Sequence, residues 1–239
     1  MKKLAIFLLF VLCVFVAVCY SVRTLPRAGG PLAPDSSSGT GAARLPPLGP
    51  ACGTHCGTER WLVKTLADPD RACVSLAPVN TTIEELIALD APSHRPDESR
   101  IRPVECTVYR VRAHLAAWDS LFVLRHERDG DYHLVLYGLQ DPRAHLIAEM
   151  PDPACPGACQ SGLGEQFAVE RAALLAQVRD PGSPMGQNPD AAVVVVTGVG
   201  FFDRPHNQTG HAPNNFELHP VLSITFLPLD SSSGAARPR

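Results

Sequence analysis

The chain has 239 residues, 45% of them hydrophobic, with a formal net charge of -3. That apolar fraction is enough to bury a core and excludes a wholly disordered chain. The near balance of charge supplies no global attraction to nucleic acid or to an anionic membrane, so any such contact needs a local patch.

In chain order, Lys2 and Lys3 precede an apolar run from Leu4 to Val22 that is interrupted by Tyr20 and Ser21. A run of about 20 apolar residues spans a bilayer as a helix, and its positive flank sends the rest of the chain out of the cytoplasm. Large residues in "AVCYSVR" stand where a cleavage site wants small ones. Residues 1–22 therefore read as a signal anchor that holds the chain to the membrane, with a cleaved signal peptide as the alternative. Either places the protein outside the cytoplasm, in the periplasm or cell envelope, or secreted. Residues 23–50, rich in Pro, Gly, Ala and Ser, read as a flexible linker, and 228–239 as a disordered tail.

Residues 51–100 form a short ordered preface. Within it "VNTTIEELIAL" is predicted to be a helix started by Thr81 or Thr82, with Glu84 and Glu85 placed for a capping box. The main domain covers 101–227. "PVECTVYRVRAHL" alternates as a long strand, "DYHLVLY" follows an Asp-Gly turn as the second, and "AHLIAEM" is the third. "EQFAVERAALLAQVR" spaces Phe167, Arg171, Leu174, Leu175 and Val178 as one helical face. "AAVVVVTGVGFF" is a fourth strand whose Gly198 and Gly200 signal a bulge or bend, and "ELHPVLSITFL" a fifth whose Pro220 signals an edge or a bulge. Three strands, a helix and two strands is the order of an OB-fold, so a mostly β, five-stranded OB-like barrel is expected, with an open two-layer α+β sheet as its rival.

Six of the eight cysteines lie beyond the apolar run: Cys52, Cys56, Cys73, Cys106, Cys155 and Cys159. Outside the cytoplasm an even number favours disulfides, although "CGTHC" and "CPGAC" also resemble halves of a four-thiolate zinc site. Their connectivity is open.

A hairpin centred on Asp141 sets Tyr137 opposite His145, Val135 opposite Ile147 and His133 opposite Glu149. These six share one face, while Tyr132, Leu134, Leu136, Leu146, Ala148 and Met150 take the core face. On the first strand Thr107, Tyr109, Val111, Ala113 and Leu115 turn inward and Arg110, Arg112 and His114 outward. The barrel's exterior is thus expected to collect Arg110, Arg112, His114, His133, Tyr137, His145 and Glu149 as a ligand face, since OB barrels commonly bind over strands two and three. An ordinary cross-strand charge pair on a solvated face explains His133 and Glu149 equally. A second polar concentration, "DRPHNQTGHAPNNFELHP", offers His206, Glu217 and His219, as a loop bonded to its own backbone, as a polar pocket or, least favoured, as ligands of a divalent metal. Its spacing matches no tight metal signature, so neither a metal nor a cofactor is expected.

At "DGDYHLVL", "HLIAEMPDPAC", "VTGVGFFD" and "HNQTGHAPNNFELHPVL" the chain resembles a family of exported bacterial proteins of uncharacterised activity, over roughly residues 59–226. The resemblance implies an envelope or secreted protein. The Asp129-Gly130-Asp131 turn is also similar to that of staphylococcal-nuclease-type OB barrels. That likeness implies an arginine and carboxylates around a calcium-bound phosphate, parts that would fall to Arg110 or Arg112 and Glu149. The expected function is a binding module for a polar or anionic ligand: oligosaccharide, oligonucleotide or envelope protein. A metal-dependent phosphodiester hydrolase and a structural envelope protein are the alternatives. An aromatic content of 6% offers few stacking platforms for single-stranded nucleic acid. The oligomeric state is open.

Overall fold

The computed structural model describes residues 44–50, 52, 57, 59–115, 124–126, 129–177, 192–205 and 208–228. The apolar run 1–22, the linker up to residue 43, Cys56, Val178, His206 and the tail from 229 lie outside these residues. Among the described residues no helix is long and apolar enough to cross a membrane.

The elements in chain order are α1 (Trp61–Lys64), β1 (Ser75–Thr81), α2 (Ile83–Ile87), β2 (Thr107–Leu115), β3 (Leu124–His126), β4 (Tyr132–Tyr137), β5 (His145–Met150), α3 (Pro156–Gln160), α4 (Gly164–Leu175), β6 (Ala192–Phe202) and β7 (Phe216–Leu227). The sheet runs β1-β2-β6-β7-β5-β4-β3, and a further β2–β4 pairing closes the five central strands into a barrel. β5 and β7 pair in parallel, whereas the other barrel pairs are antiparallel. This is the strand order of an OB-like barrel, with α3 and α4 in the connection from its third strand to its fourth.

Strand pleating decides what fills the barrel. Val111, Ala113 and Leu115 of β2 meet Tyr132, Leu134, Leu136, Leu146, Ala148 and Met150 of the β4–β5 hairpin, all of them buried in one core. Fully burying a side chain of leucine size is worth about 1.5–3 kcal/mol, so these alternating positions fix the register. Tyr109, half-buried, packs against the same core. Helix α4 lays Phe167 and Leu174 inward, and the Arg171 guanidinium sits 3.6 Å from the centre of the Tyr132 ring while donating to the carbonyls of Gly130 and Met150.

Strand β7 carries extra residues relative to β6: Thr197 faces Ser223, Gly198 faces Val221 and Gly200 faces Leu218. The extra residues bulge β7 around His219–Pro220 and again at Leu222, so Pro220 marks a bulge in an interior strand. Each bulge changes which face the following side chain meets. Phe216, Leu218, Val221 and Ile224 enter the barrel core, whereas Leu222 joins a second apolar cluster with Leu66, Val74, Val108, Leu163, Phe167 and Val199.

That second cluster includes the preface, which packs against the barrel wall and also supplies β1, parallel to β2. β1 was not expected: "SLAPVNT" has no clean alternation, and its residues are half-buried or exposed. Two ion pairs fasten the preface. Arg60 donates through all its nitrogens, to both oxygens of Glu105 at 2.6 and 2.7 Å and to the carbonyls of Pro96, Ser99 and Phe202. Arg100 binds Asp68 in the same dry environment and donates to the carbonyls of Glu105 and Val63. Disulfides add Cys52–Cys159 and Cys73–Cys106, with Cα atoms 6.4 and 5.3 Å apart, and Cys155 is disulfide-bonded as well. Sulfurs so committed replace the four-thiolate zinc alternative with cross-links.

Candidate functional site: a buried polar cluster on the barrel wall

The expected hairpin register holds: Tyr137 faces His145, Val135 faces Ile147 and His133 faces Glu149. The expected exposure does not. His133 and Glu149 are each 2% exposed, and Val135 and Ile147 beside them are buried. Residues from distant parts of the chain cover this face: Lys64 of α1 lies close enough to act electrostatically on Glu149, the Thr209 carbonyl lies 3.0 Å from His133 Nε2, and Gly210 packs on Val135.

Three strands deliver the rest. With Phe216 and Leu218 in the barrel core, period two turns Glu217 and His219 to the outer side of β7. The parallel register of Ile147 with Glu217 and Ala148 with Leu218 then brings Glu149 beside His219. Asp131 stands just before β4 and Asp203 just after β6. Lys64, Asp131, His133, Glu149, Asp203, Glu217 and His219 are all buried.

Glu149 is the hub. Its Oε1 lies 3.1 Å from His133 Nδ1 and its Oε2 lies 2.9 Å from His219 Nδ1. His219 Nε2 lies 3.4 Å from Asp131 Oδ2, whose other oxygen accepts from the Asp152 backbone N–H. Lys64 Nζ stands 3.6 Å from Asp203 Oδ1 and 5.4 Å from the centre of the Phe201 ring. Both His219 contacts are close but misaligned, so neither ring nitrogen forms a hydrogen bond; Asp131 Oδ2 and Glu217 Oε2 accept none. The contrast with Arg60 and Glu105, where every donor is matched, separates a fastener from a site.

The cluster drives its carboxyl groups apart. Burial raises Glu217 to about 8, reinforced by Asp203 and Glu149 and opposed by His219 and Lys64. Burial likewise raises Asp131 to about 6 despite His219. Burial pushes Glu149 upward too, but His133, His219 and Lys64 outweigh it and hold the carboxylate well below its ordinary range. For His219 and Lys64 burial favours the neutral forms, and the surrounding carboxylates reverse this and raise both. A protonated acid beside an ionised one is an arrangement able to hold and pass a proton, and also to take up a cation.

The remaining expected residues lie elsewhere. Arg110 and Arg112 are exposed on β2, opposite Thr197 and Val195 of β6. β2 meets β4 only through His114 with Tyr137 and Leu115 with Leu136, and it does not pair with β5, so neither arginine joins Glu149. His114, Tyr137 and His145 form a half-buried row at the opposite end of the hairpin from Glu149, the last two with ring centres 5.7 Å apart. Lys64, Asp131 and Asp203 were not among the expected site residues. Arg110 instead edges a groove of about 250 Å³ between the barrel wall and α4, with Leu76, Pro78 and Leu163 as apolar lining and Gln166 and Ser223 as polar lining.

No protein-family model, curated protein or solved structure matches the chain.

Proposed function

We propose that the protein is an exported binding module that takes a polar or anionic ligand in the groove edged by Arg110. The observation that carries this reading is the pairing of an exposed guanidinium with an apolar floor and a polar rim in one concavity. A groove of about 250 Å³ suits one ligand unit, such as a monosaccharide or an amino-acid side chain, bearing a carboxylate, sulfate or phosphate. The rest of an oligosaccharide or a protein partner would lie outside it. Export is supported by the disulfides, which persist in oxidising compartments, and by the charged and apolar order of residues 2–22.

Anisotropy titrations at low salt with a sulfated oligosaccharide, an acidic peptide and a single-stranded oligonucleotide test this reading. Saturable binding of one probe, weakened at least tenfold by Arg110→Ala with an unchanged melting temperature, is expected. Absence of binding, or binding indifferent to that substitution, overturns it. Cleavage of the oligonucleotide would replace the binding module with the hydrolase.

A further inference from the structure

We propose that Asp131, Glu149 and His219 hold one divalent transition-metal ion in the polar cluster, with Glu217 supplying a fourth ligand. One ligand atom from each of the first three lies within 4.8 Å of the others, and side-chain rotation on binding would draw the most separated pair to the bonds of about 2.0–2.4 Å that a single ion makes. All three side chains are buried.

Converging carboxylates alone do not make a metal site. Here the unfilled bonding capacity points to an occupant. Asp131 Oδ2, Glu217 Oε2 and both nitrogens of His219 are sealed from solvent and form no hydrogen bond. Glu217 Oε2 lies 3.9 Å from His219 Nδ1, so the orphaned atoms adjoin one another. A single water donates only two hydrogen bonds and leaves part of this acceptor set unfilled, whereas a cation satisfies carboxylate oxygens and an imidazole lone pair together.

Charge leads to the same occupant. Asp131, Glu149, Asp203 and Glu217 bring four carboxyl groups into a space whose nearby lysine, Lys64, stands beside Asp203. A dication that takes the place of a proton on His219 balances the remaining carboxylates. Around the three ligands the setting has features of a metal shell. His133 Nδ1 holds the Glu149 oxygen not turned toward His219, and the Asp152 backbone N–H holds the Asp131 oxygen turned away from the cluster. Such outer contacts orient ligands toward an ion.

Donor chemistry selects the metal class. Carboxylate oxygens with one imidazole suit zinc, a borderline dication, or the harder manganese. Calcium asks for six to eight oxygens, and magnesium keeps several waters that a dry cluster does not favour. Soft thiolate chemistry has no part: the described cysteines on the barrel and preface are in disulfides. Because Lys64 and the Thr209 backbone cover the site, the ion is acquired with folding and exchanges slowly.

The test uses the full chain, oxidised and purified without chelator. Elemental analysis should return close to one zinc or manganese ion per chain. Protein unfolded with chelator, freed of it and refolded with cobalt(II) should take up one equivalent and show the weak visible bands of oxygen and nitrogen ligation. His219→Gln and Glu149→Gln should each cut the affinity at least tenfold. Since either may disturb folding, Glu217→Gln serves as the milder variant: it should keep the native circular dichroism while weakening cobalt binding and altering its spectrum. The proposal is overturned if the chain refolded with zinc, manganese or cobalt at millimolar concentration and then desalted retains none of them. It is also overturned if cobalt shows thiolate charge-transfer bands, or if all three variants bind it as the parent does. Loss of ligand binding in Arg110→Ala with metal content intact would leave this site and the groove as separate functions.

Discussion

At Arg60 five donors meet five acceptors in a dry environment, two of them the oxygens of Glu105. Glu105 also accepts from the backbone N–H groups of Ile101 and Phe202, so its charge is held from several directions. Arg60→Met should therefore cost about 3–5 kcal/mol, the penalty of a buried charge that loses its partner. Guanidinium unfolding at an unchanged slope measures it. Adding Glu105→Leu should restore little, since those two backbone donors then lose their acceptor; full recovery would show the pair to be a replaceable fastener. His133 shows what was legible at this scale. Its partner Glu149 follows from period two about the turn at Asp141, and that pairing is present. Its burial depends on a cover supplied by residues 64 and 209–210, far away in sequence. The local signal was the presence of Val135 and Ile147 on the supposedly solvated face. Asp131, Glu149 and His219 come from three separate strand regions, so no short spacing could mark them as a ligand set.

Among the elements, α2 shows a capping signal working as expected. Thr82 accepts from the Glu85 N–H, and Glu85 accepts from the Thr82 N–H and from the Thr81 hydroxyl. Thr82→Ala should cost about 1 kcal/mol and Thr82→Ser far less, read from the denaturation midpoint. The Thr81 hydroxyl first, and then the Thr82 N–H, hold the Glu85 carboxyl below its ordinary 4.5. A depressed carboxyl stabilises the fold above its unfolded range and loses that effect as pH falls through the folded value. Amide protection at Ile83–Glu85, measured relative to the intrinsic exchange rate at each pH, should therefore fall below about pH 4.5 in the parent chain and lose this pH dependence in Glu85→Gln. Other elements gave weaker signals. β3 has three residues, α3 has five including a glycine, and β1 contains Pro78 and a largely solvated pattern. The strands β2, β4, β5 and β6 were readable because burial on the barrel side imposes alternation or continuous apolarity on them.

For the whole molecule, element order pointed to the OB-like barrel, but the sequence did not reveal how much of the preface the barrel needs. Residues 60–105 cover part of the wall, supply β1 and contribute Lys64 to the polar cluster. Cys73–Cys106 cross-links that segment to the start of β2 over 33 residues. Mild reduction should lower stability by about 2–4 kcal/mol per bridge broken, seen as a lower melting temperature in dithiothreitol. A chain equally stable when reduced would weaken the case for an oxidising compartment. Cys52–Cys159 closes a much longer circuit of 107 residues that encloses the preface, β2 and the β4–β5 hairpin. One backbone cut anywhere within that circuit leaves the fragments on a common covalent frame. A nicked molecule should migrate as a single species until its disulfides are reduced, so limited proteolysis would not by itself release either piece.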